Sequence, residues 1–119
     1  MTKRQWKNRI ITACEEAGTF EEQFIHCVDT LAEILEKRDQ VEKVYQKEGS
    51  QPIILHENKG GGVNPTKNPA LVMWDDLNKS ALAYWRDLGL TPAGLKKLKG
   101  DNVDTSEESP LVKAIREIG

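Results

Sequence analysis

The 119-residue sequence contains few of the residues that form catalytic and metal centres. It has two histidines and two cysteines. Neither His26 nor His56 has a cysteine, histidine or carboxylate partner at a recognised ligand spacing, and neither can be matched to a nucleophile. Cys14 and Cys27 both fall on apolar helical stripes, which favours reduced packing residues over a disulfide or a ligand pair. We therefore expect a non-enzymatic protein without a metal or a cofactor.

Long apolar runs and phosphate-binding glycine motifs are also missing. No stretch approaches the roughly 18 apolar residues of a membrane helix, and the N-terminal MTKRQWKNRIITACEE lacks the apolar centre and cleavage site of a signal peptide. Lys59 precedes the glycines at 60–62, whereas a P-loop places its lysine after the glycines. We expect a cytoplasmic protein that binds no membrane and no small-molecule substrate.

The charge of the chain is unevenly distributed. Its formal net charge is only −2, and its 30% charged and 38% hydrophobic residues are ordinary for a soluble globular domain. Residues 101–108 hold four acids and no base, whereas residues 1–13 hold no acid. Helical spacing places N-terminal cations opposite Trp6 and Ile10, a geometry that suits contacts with DNA phosphates. The predicted DNA-binding residues are Lys3, Arg4, Lys7 and Arg9, together with Lys96 and Lys97 of a second basic cluster.

Two helices are predicted before residue 50. The first runs from about Thr2 on a stripe of apolar residues and ends at Gly18. Thr19 and Glu22 have the spacing of a capping box, which predicts that the second helix starts there. No glycine or proline follows before Gly49, so the second helix would run for nearly thirty residues, roughly 40 Å.

A helix of that length exceeds the diameter of a small domain, and the rest of the subunit cannot cover its whole apolar stripe. Part of the stripe is therefore expected to meet another copy of the chain. We predict a homo-oligomer through the long helices, with interface residues Phe24, Leu31, Leu35, Val41, Trp74, Leu77 and Trp85.

Residues 50–67 are predicted as a Gly-rich loop with room for a small hairpin. Asn68 and Pro69 then start a third helix that ends at Gly89, and Thr91 with Pro92 starts a short fourth helix. The predicted fold is all-α: a basic N-terminal helix (1–18), a long helical hairpin as oligomerisation core (19–99), and a flexible acidic tether with a terminal helix (100–119). Apolar positions of that terminal helix favour partner binding: Leu111, Ile115 and Ile118.

The order of features between residues 45 and 98 resembles a known family. A long helix ends in VYQKEG, an Asn-Pro pair follows at 68–69, a helix ends in WRDLGL, and TPAGLKKL comes next. This order is similar to that of the small terminase subunit of tailed bacteriophages, in the P27-like family. The family usually has a small residue and then arginine after Thr-Pro, whereas this chain has Ala93 and Gly94, so no role of that arginine transfers.

The resemblance implies a non-enzymatic DNA-packaging protein in the bacterial host cytoplasm. Such a protein forms a ring-like homo-oligomer, recognises double-stranded viral DNA, and recruits and regulates the large terminase subunit, which holds the ATPase and nuclease. The residues alone leave a second interpretation open: a helical interaction adaptor or chaperone-like protein that does not bind DNA.

Overall fold

The computed structural model describes residues 1–100 and consists of helices with one small sheet. Its order is α1 (Lys3–Ala17), α2 (Ile25–Lys47), β1 (Ile53–Glu57), β2 (Val63–Lys67), α3 (Pro69–Asp87) and α4 (Pro92–Lys99). The predicted mainly helical fold is confirmed, and the Gly-rich segment forms the small hairpin that the sequence allowed, so the fold is not purely all-α. The acidic tether and terminal helix, with Leu111, Ile115 and Ile118, lie outside the described residues.

Helix α1 begins and ends where the sequence predicts. A capping box fixes its start, since the backbone N–H of Gln5 donates to Thr2 Oγ1 (3.2 Å) and the N–H of Thr2 donates to Gln5 Oε1 (2.9 Å). Gly18 ends the helix with a φ of 72°, a left-handed conformation that glycine adopts without steric cost.

The predicted start of the second helix is wrong. Thr19 caps no helix: its buried hydroxyl donates to the carbonyl oxygen of Leu88 at 2.8 Å. A single 3₁₀ turn, Glu22–Phe24, comes first, and α2 then runs for 23 residues without a side-chain cap. Its length is about 35 Å at 1.5 Å per residue, shorter than predicted but still unbroken.

Strands β1 and β2 form an antiparallel hairpin in which Ile53 pairs with Lys67 and Glu57 with Val63. The turn between them includes Gly61 at a φ of 82°, and Asn58 N–H donates to the Gly62 carbonyl. Every side chain of the two strands is exposed except that of Ile54, which is half-buried. The hairpin is thus an arm that projects from the helices.

The caps of α3 and α4 are confirmed. Asn68 accepts a hydrogen bond from Ala70 N–H (3.0 Å) before Pro69, and Thr91 accepts one from Gly94 N–H (3.0 Å) before Pro92. Helix α4 packs so closely on α3 that a Cβ at Gly94 would overlap the carbonyl group of Arg86.

Helices α1, α2 and α3 pack around one core, and α2 and α3 are antiparallel neighbours. The fully buried hydrophobic residues of the described chain are Ile10, Cys14, Val28, Leu31, Ala32, Leu35, Ala81 and Leu88. Cys14 and Cys27 are both free thiols. Only Cys14 is a packing residue, because Cys27 is exposed on α2, contrary to the prediction.

Candidate nucleic-acid and assembly surfaces

Two of the predicted DNA-binding lysines on α1 are engaged by acids of α2. Lys3 Nζ lies 3.1 Å from Asp29 and 3.9 Å from Glu33, and Lys7 Nζ lies 3.5 Å from Asp29. The hydrogen bond between Lys3 and Asp29 raises the pKa of Lys3 and lowers the pKa of Asp29, so both groups stay charged. These lysines face α2, and acidic side chains compensate much of their charge.

Among residues 1–100, the other predicted cations form no salt bridge with an acid. Arg4 and Arg9 are exposed on α1, and the Arg9 guanidinium lies 5.9 Å from the centre of the Trp6 ring. Lys96 and Lys97 are exposed in the last turn of α4. The accessible charge of the predicted DNA-binding residues therefore divides between the first half of α1 and the end of α4.

These two groups of cations lie at opposite ends of α1. Lys99 Nζ reaches the C-terminal end of α1, 2.9 Å from where a Cβ on Gly18 would lie. Arg4 is about 20 Å away along the helix at 1.5 Å per residue. The exposed acids Glu15 and Glu16 lie between them on α1, so the structure presents two separate positive patches.

Sequence reasoning missed a polar cluster at the junction of α1, α2 and α3. The Arg38 guanidinium lies 5.7 Å from the ring centre of Trp6 and 6.0 Å from that of Trp74, and it donates to Asn78 Oδ1 at 3.0 Å. Trp6 Nε1 donates to Asp39 Oδ2 at 2.7 Å. Arg38 is separated in the sequence from Trp6, Trp74 and Asn78 by 32 to 40 residues and belongs to no motif. No local spacing in the sequence therefore indicates this cluster.

The predicted interface residues fall into two groups. Leu31 and Leu35 are fully buried inside a single subunit, so they form its own core and offer no surface to a second copy. Those that keep some exposed surface are half-buried: Phe24, Val41, Trp74, Leu77 and Trp85.

Two of these half-buried residues, Val41 and Leu77, line a groove of about 650 Å³ between the end of α2 and the start of α3. Exposed apolar side chains of Val44 and Met73 complete its walls, and Ile54 of the hairpin closes one end. Lys37 and Glu48 lie at its rim. We call this surface the α2–α3 groove.

The sequence model of a family described as "Phage terminase, small subunit" matches residues 2–105, most of the chain. This chain belongs to the phage terminase small subunit family. Membership assigns it a role in phage DNA packaging and implies, in general, DNA and a large terminase subunit as partners. The match identifies the family and not the P27-like subfamily within it. No curated protein and no solved structure matches the chain significantly.

Within residues 1–100 of this terminase small subunit, no three histidine, cysteine, aspartate or glutamate side chains are grouped so that they could hold a metal ion. In the same part of the chain, no helix is both long and apolar enough to cross a membrane. Residues 1–100 present two positive patches, the α2–α3 groove, a second mainly apolar groove lined by Ile53, Leu71 and Trp74, and one projecting hairpin.

Proposed function

We propose that this chain is a non-catalytic small terminase subunit that assembles into a ring-like homo-oligomer, binds double-stranded viral DNA, and recruits and regulates the large terminase subunit. The observation that carries the proposal is the family match over residues 2–105. The surfaces described above support it, because assembly and DNA binding need exposed apolar and positive patches rather than a catalytic cleft.

The DNA contact is proposed at the exposed cations. On α1 the proposed contacts are Arg4 and Arg9, because Lys3 and Lys7 already form salt bridges with Asp29. Lys96 and Lys97 form the second patch. Two or three phosphate contacts per subunit bind weakly near physiological salt, but copies held in one assembly bind together through effective concentration. DNA binding by this chain thus depends on its assembly.

Charge reversal at each patch tests the DNA site. We expect Arg4→Glu with Arg9→Glu, or Lys96→Glu with Lys97→Glu, to weaken duplex DNA binding and to reduce the slope of log affinity against log salt by about 0.9 for each lost contact. Binding titrations at several salt concentrations measure both quantities. The matched control is Lys47→Glu with Lys59→Glu, which reverses two exposed cations outside both patches and should leave the slope unchanged.

Two outcomes would contradict the assignment. If neither double variant changes the slope and Lys3→Glu with Lys7→Glu does, the DNA contact lies on the face that the structure turns toward α2. If the unaltered protein does not bind cognate duplex at low salt, DNA binding fails and the helical adaptor without DNA remains.

Assembly is proposed through apolar surface that one subunit leaves uncovered. Exposed large hydrophobic side chains follow α2 and α3, among them Val44, Val72, Met73 and Leu82. Val44 and Met73 lie together in the α2–α3 groove, and a large contiguous apolar patch on a soluble protein usually has a binding role. Sedimentation of the full-length chain over a range of concentrations tests this part, and a monomer at all concentrations would refute it.

Recruitment of the large terminase subunit is proposed at the terminal segment. Leu111, Ile115 and Ile118 have the spacing of an amphipathic helix that could enter an apolar groove on a partner. We expect Ile115→Asp to weaken binding of the large subunit in a pull-down and Lys113→Asp, a polar position of the same segment, to spare it. Equal binding by both variants would place the contact elsewhere.

A further inference from the structure

The β-hairpin presents one apolar face to solvent. The register places Ile53, Leu55, Val63 and Pro65 on the same side of the two strands, because paired residues and alternate residues share a face. The exposed fractions are 60% for Ile53, 74% for Leu55 and 56% for Val63. We call this surface the arm face. His56, Asn64 and Thr66 lie on the opposite side with Ile54.

A hairpin of this kind needs a partner. An isolated two-stranded sheet is at best marginally stable in water, and it needs a third strand or a helix packed against it. Within the subunit, Ile54 lines the α2–α3 groove from the side opposite the arm face, and at the base of the hairpin Ile53 and Lys67 lie beside the start of α3. Leu55 and Val63, farther along the arm face, remain 74% and 56% exposed. The subunit therefore leaves the outer part of the arm face uncovered.

The α2–α3 groove is apolar enough to receive that face. Val44 is 49% exposed and Met73 is 54% exposed, and the groove has a volume of about 650 Å³. Ile54 already lines this groove within its own subunit. Since Ile53 and Leu55 point to the other side of the strand, the arm face and the groove lie on opposite sides of the hairpin.

Charges at the two surfaces also match. The arm face has Lys67 at the base of the hairpin and Glu57 near its turn, about 14 Å apart over four residues of strand. The groove has Glu48 at one end and Lys37 at the other, about 16 Å apart along α2. Lys37 is 60% exposed and also contacts Glu33 at 3.5 Å. An arm laid along the groove would pair Lys67 with Glu48 and Glu57 with Lys37.

We propose that the arm face of one subunit packs into the α2–α3 groove of a second copy of this chain. Because the contact joins two different surfaces, which lie on opposite sides of the hairpin, we infer a heterologous contact: each copy gives its arm to one neighbour and receives the arm of another. Such contacts form a closed ring when the rotation between neighbours closes. This inference rests on the homo-oligomer proposed above and adds the residues that join its subunits.

A pair of neighbouring substitutions on β1 tests the contact. Leu55→Asp places a charge at the centre of the arm face, where the side chain is already exposed in the subunit, so the subunit itself should fold. His56→Asp places the same charge one residue along, on the opposite face. We expect Leu55→Asp to weaken assembly at least tenfold in sedimentation or native mass measurements, and His56→Asp to leave it unchanged.

Charge reversal provides a rescue. Glu57→Lys with Lys67→Glu should weaken assembly, and so should Lys37→Glu with Glu48→Lys. The variant that carries all four changes restores both proposed pairs and should assemble more tightly than either double variant. Circular dichroism of each variant establishes that the helices are retained.

Disulfide trapping identifies the contact directly. In a Cys27→Ser background, a chain carrying Leu55→Cys and Met73→Cys should form a ladder of covalent multimers when oxidised with diamide. The same chain with His56→Cys in place of Leu55→Cys should not, because residue 56 lies on the side of the hairpin opposite the arm face. A ladder of equal intensity from both chains would overturn the proposed face.

The results separate this inference from the proposed function. If the unaltered chain assembles, but Leu55→Asp assembles equally well and no ladder forms, the arm contact is wrong and the oligomer stands. If Ile115→Asp disrupts assembly and Leu55→Asp does not, the terminal segment occupies the groove and the inference is overturned. A chain that stays monomeric at every concentration overturns both.

Discussion

Thr19, Arg38 and Asn68 each join two or more elements of the subunit through polar atoms. Thr19 links the α1–α2 turn to the end of α3 through the Leu88 carbonyl. Arg38 of α2 lies between two indole rings and a side-chain amide, so one guanidinium links α2 to α1 and α3. Buried polar groups are costly unless they are paired, and each of these residues therefore favours one arrangement of its neighbours.

Thr19→Val should destabilise the subunit by about 1–3 kcal/mol, because it leaves the buried Leu88 carbonyl without its donor. Thr19→Ser keeps the hydroxyl and should cost less. Urea unfolding measures the difference. Glu22→Ala is the informative control: a capping box would make it costly, whereas the structure predicts almost no effect for this exposed side chain. Equal losses from Thr19→Val and Glu22→Ala would argue for the capping box.

Asp39 should make the free energy of unfolding decrease at acidic pH. Burial by itself acts to raise the pKa of Asp39, but hydrogen bonds from Trp6 and the N-terminal ammonium outweigh burial and lower it. A lowered pKa in the folded state contributes stability above the ordinary aspartate pKa of about 4, and this contribution is lost as the pH falls through the folded value. Urea unfolding between about pH 6 and pH 2 should therefore show a smaller acid loss for Asp39→Asn than for Asp87→Asn, an exposed carboxylate of α3. Parallel curves for the two variants would refute it.

Among the secondary-structure elements, the helix ends are set by nearby capping residues, and the hairpin is attached to the helices through hydrogen bonds at its base. Asn68 occupies the junction between β2 and α3. Its side-chain oxygen caps α3 through Ala70 N–H, its side-chain nitrogen donates to the Gln51 carbonyl at 2.9 Å, and its backbone N–H donates to the Pro52 carbonyl at 2.9 Å. One buried asparagine thus starts a helix and holds the hairpin to it.

Two substitutions at Asn68 should separate these roles. Asn68→Asp keeps the acceptor that caps α3 but loses the donor to Gln51, whereas Asn68→Ala loses both. We expect Asn68→Ala to be more destabilising than Asn68→Asp by about 1 kcal/mol, the usual value of an N-cap. Thermal unfolding monitored by circular dichroism measures this difference. If the aspartate variant were as unstable as the alanine variant, the contact to Gln51 would matter more than the cap.

The whole subunit is elongated and has a small core. Its extents are 72 × 33 × 20 Å and its radius of gyration is 20.5 Å, whereas a compact domain of 100 residues has a radius of gyration of about 13 Å. The described residues include only eight fully buried hydrophobic side chains. A chain of this shape leaves much apolar surface uncovered, and assembly would cover it.

Aspartate at two apolar positions should distinguish folding from assembly. Leu31 is fully buried in the subunit, so Leu31→Asp should cost at least about 3 kcal/mol and unfold the chain by burying an unpaired charge. Leu77 is half-buried at the α2–α3 groove, so Leu77→Asp should retain the helical circular dichroism signal but weaken assembly. Sedimentation and circular dichroism on the same samples test both statements. A fully assembled Leu77→Asp variant would argue against the groove as an interface.

Features that depend on neighbouring residues can be predicted from the sequence: the end of α1 at Gly18, the Asn-Pro and Thr-Pro starts of α3 and α4, and the absence of a break in α2. Capping and helix termination act within one or two turns, so local spacing is enough to predict them. Contacts between residues that are far apart in the sequence are visible only in the folded structure. Asp29 forms salt bridges with Lys3 and Lys7, the Leu88 carbonyl accepts a hydrogen bond from the Thr19 hydroxyl, and the Arg38 guanidinium lies near two tryptophan rings. Packing brings these groups together although twenty to seventy residues of chain separate them.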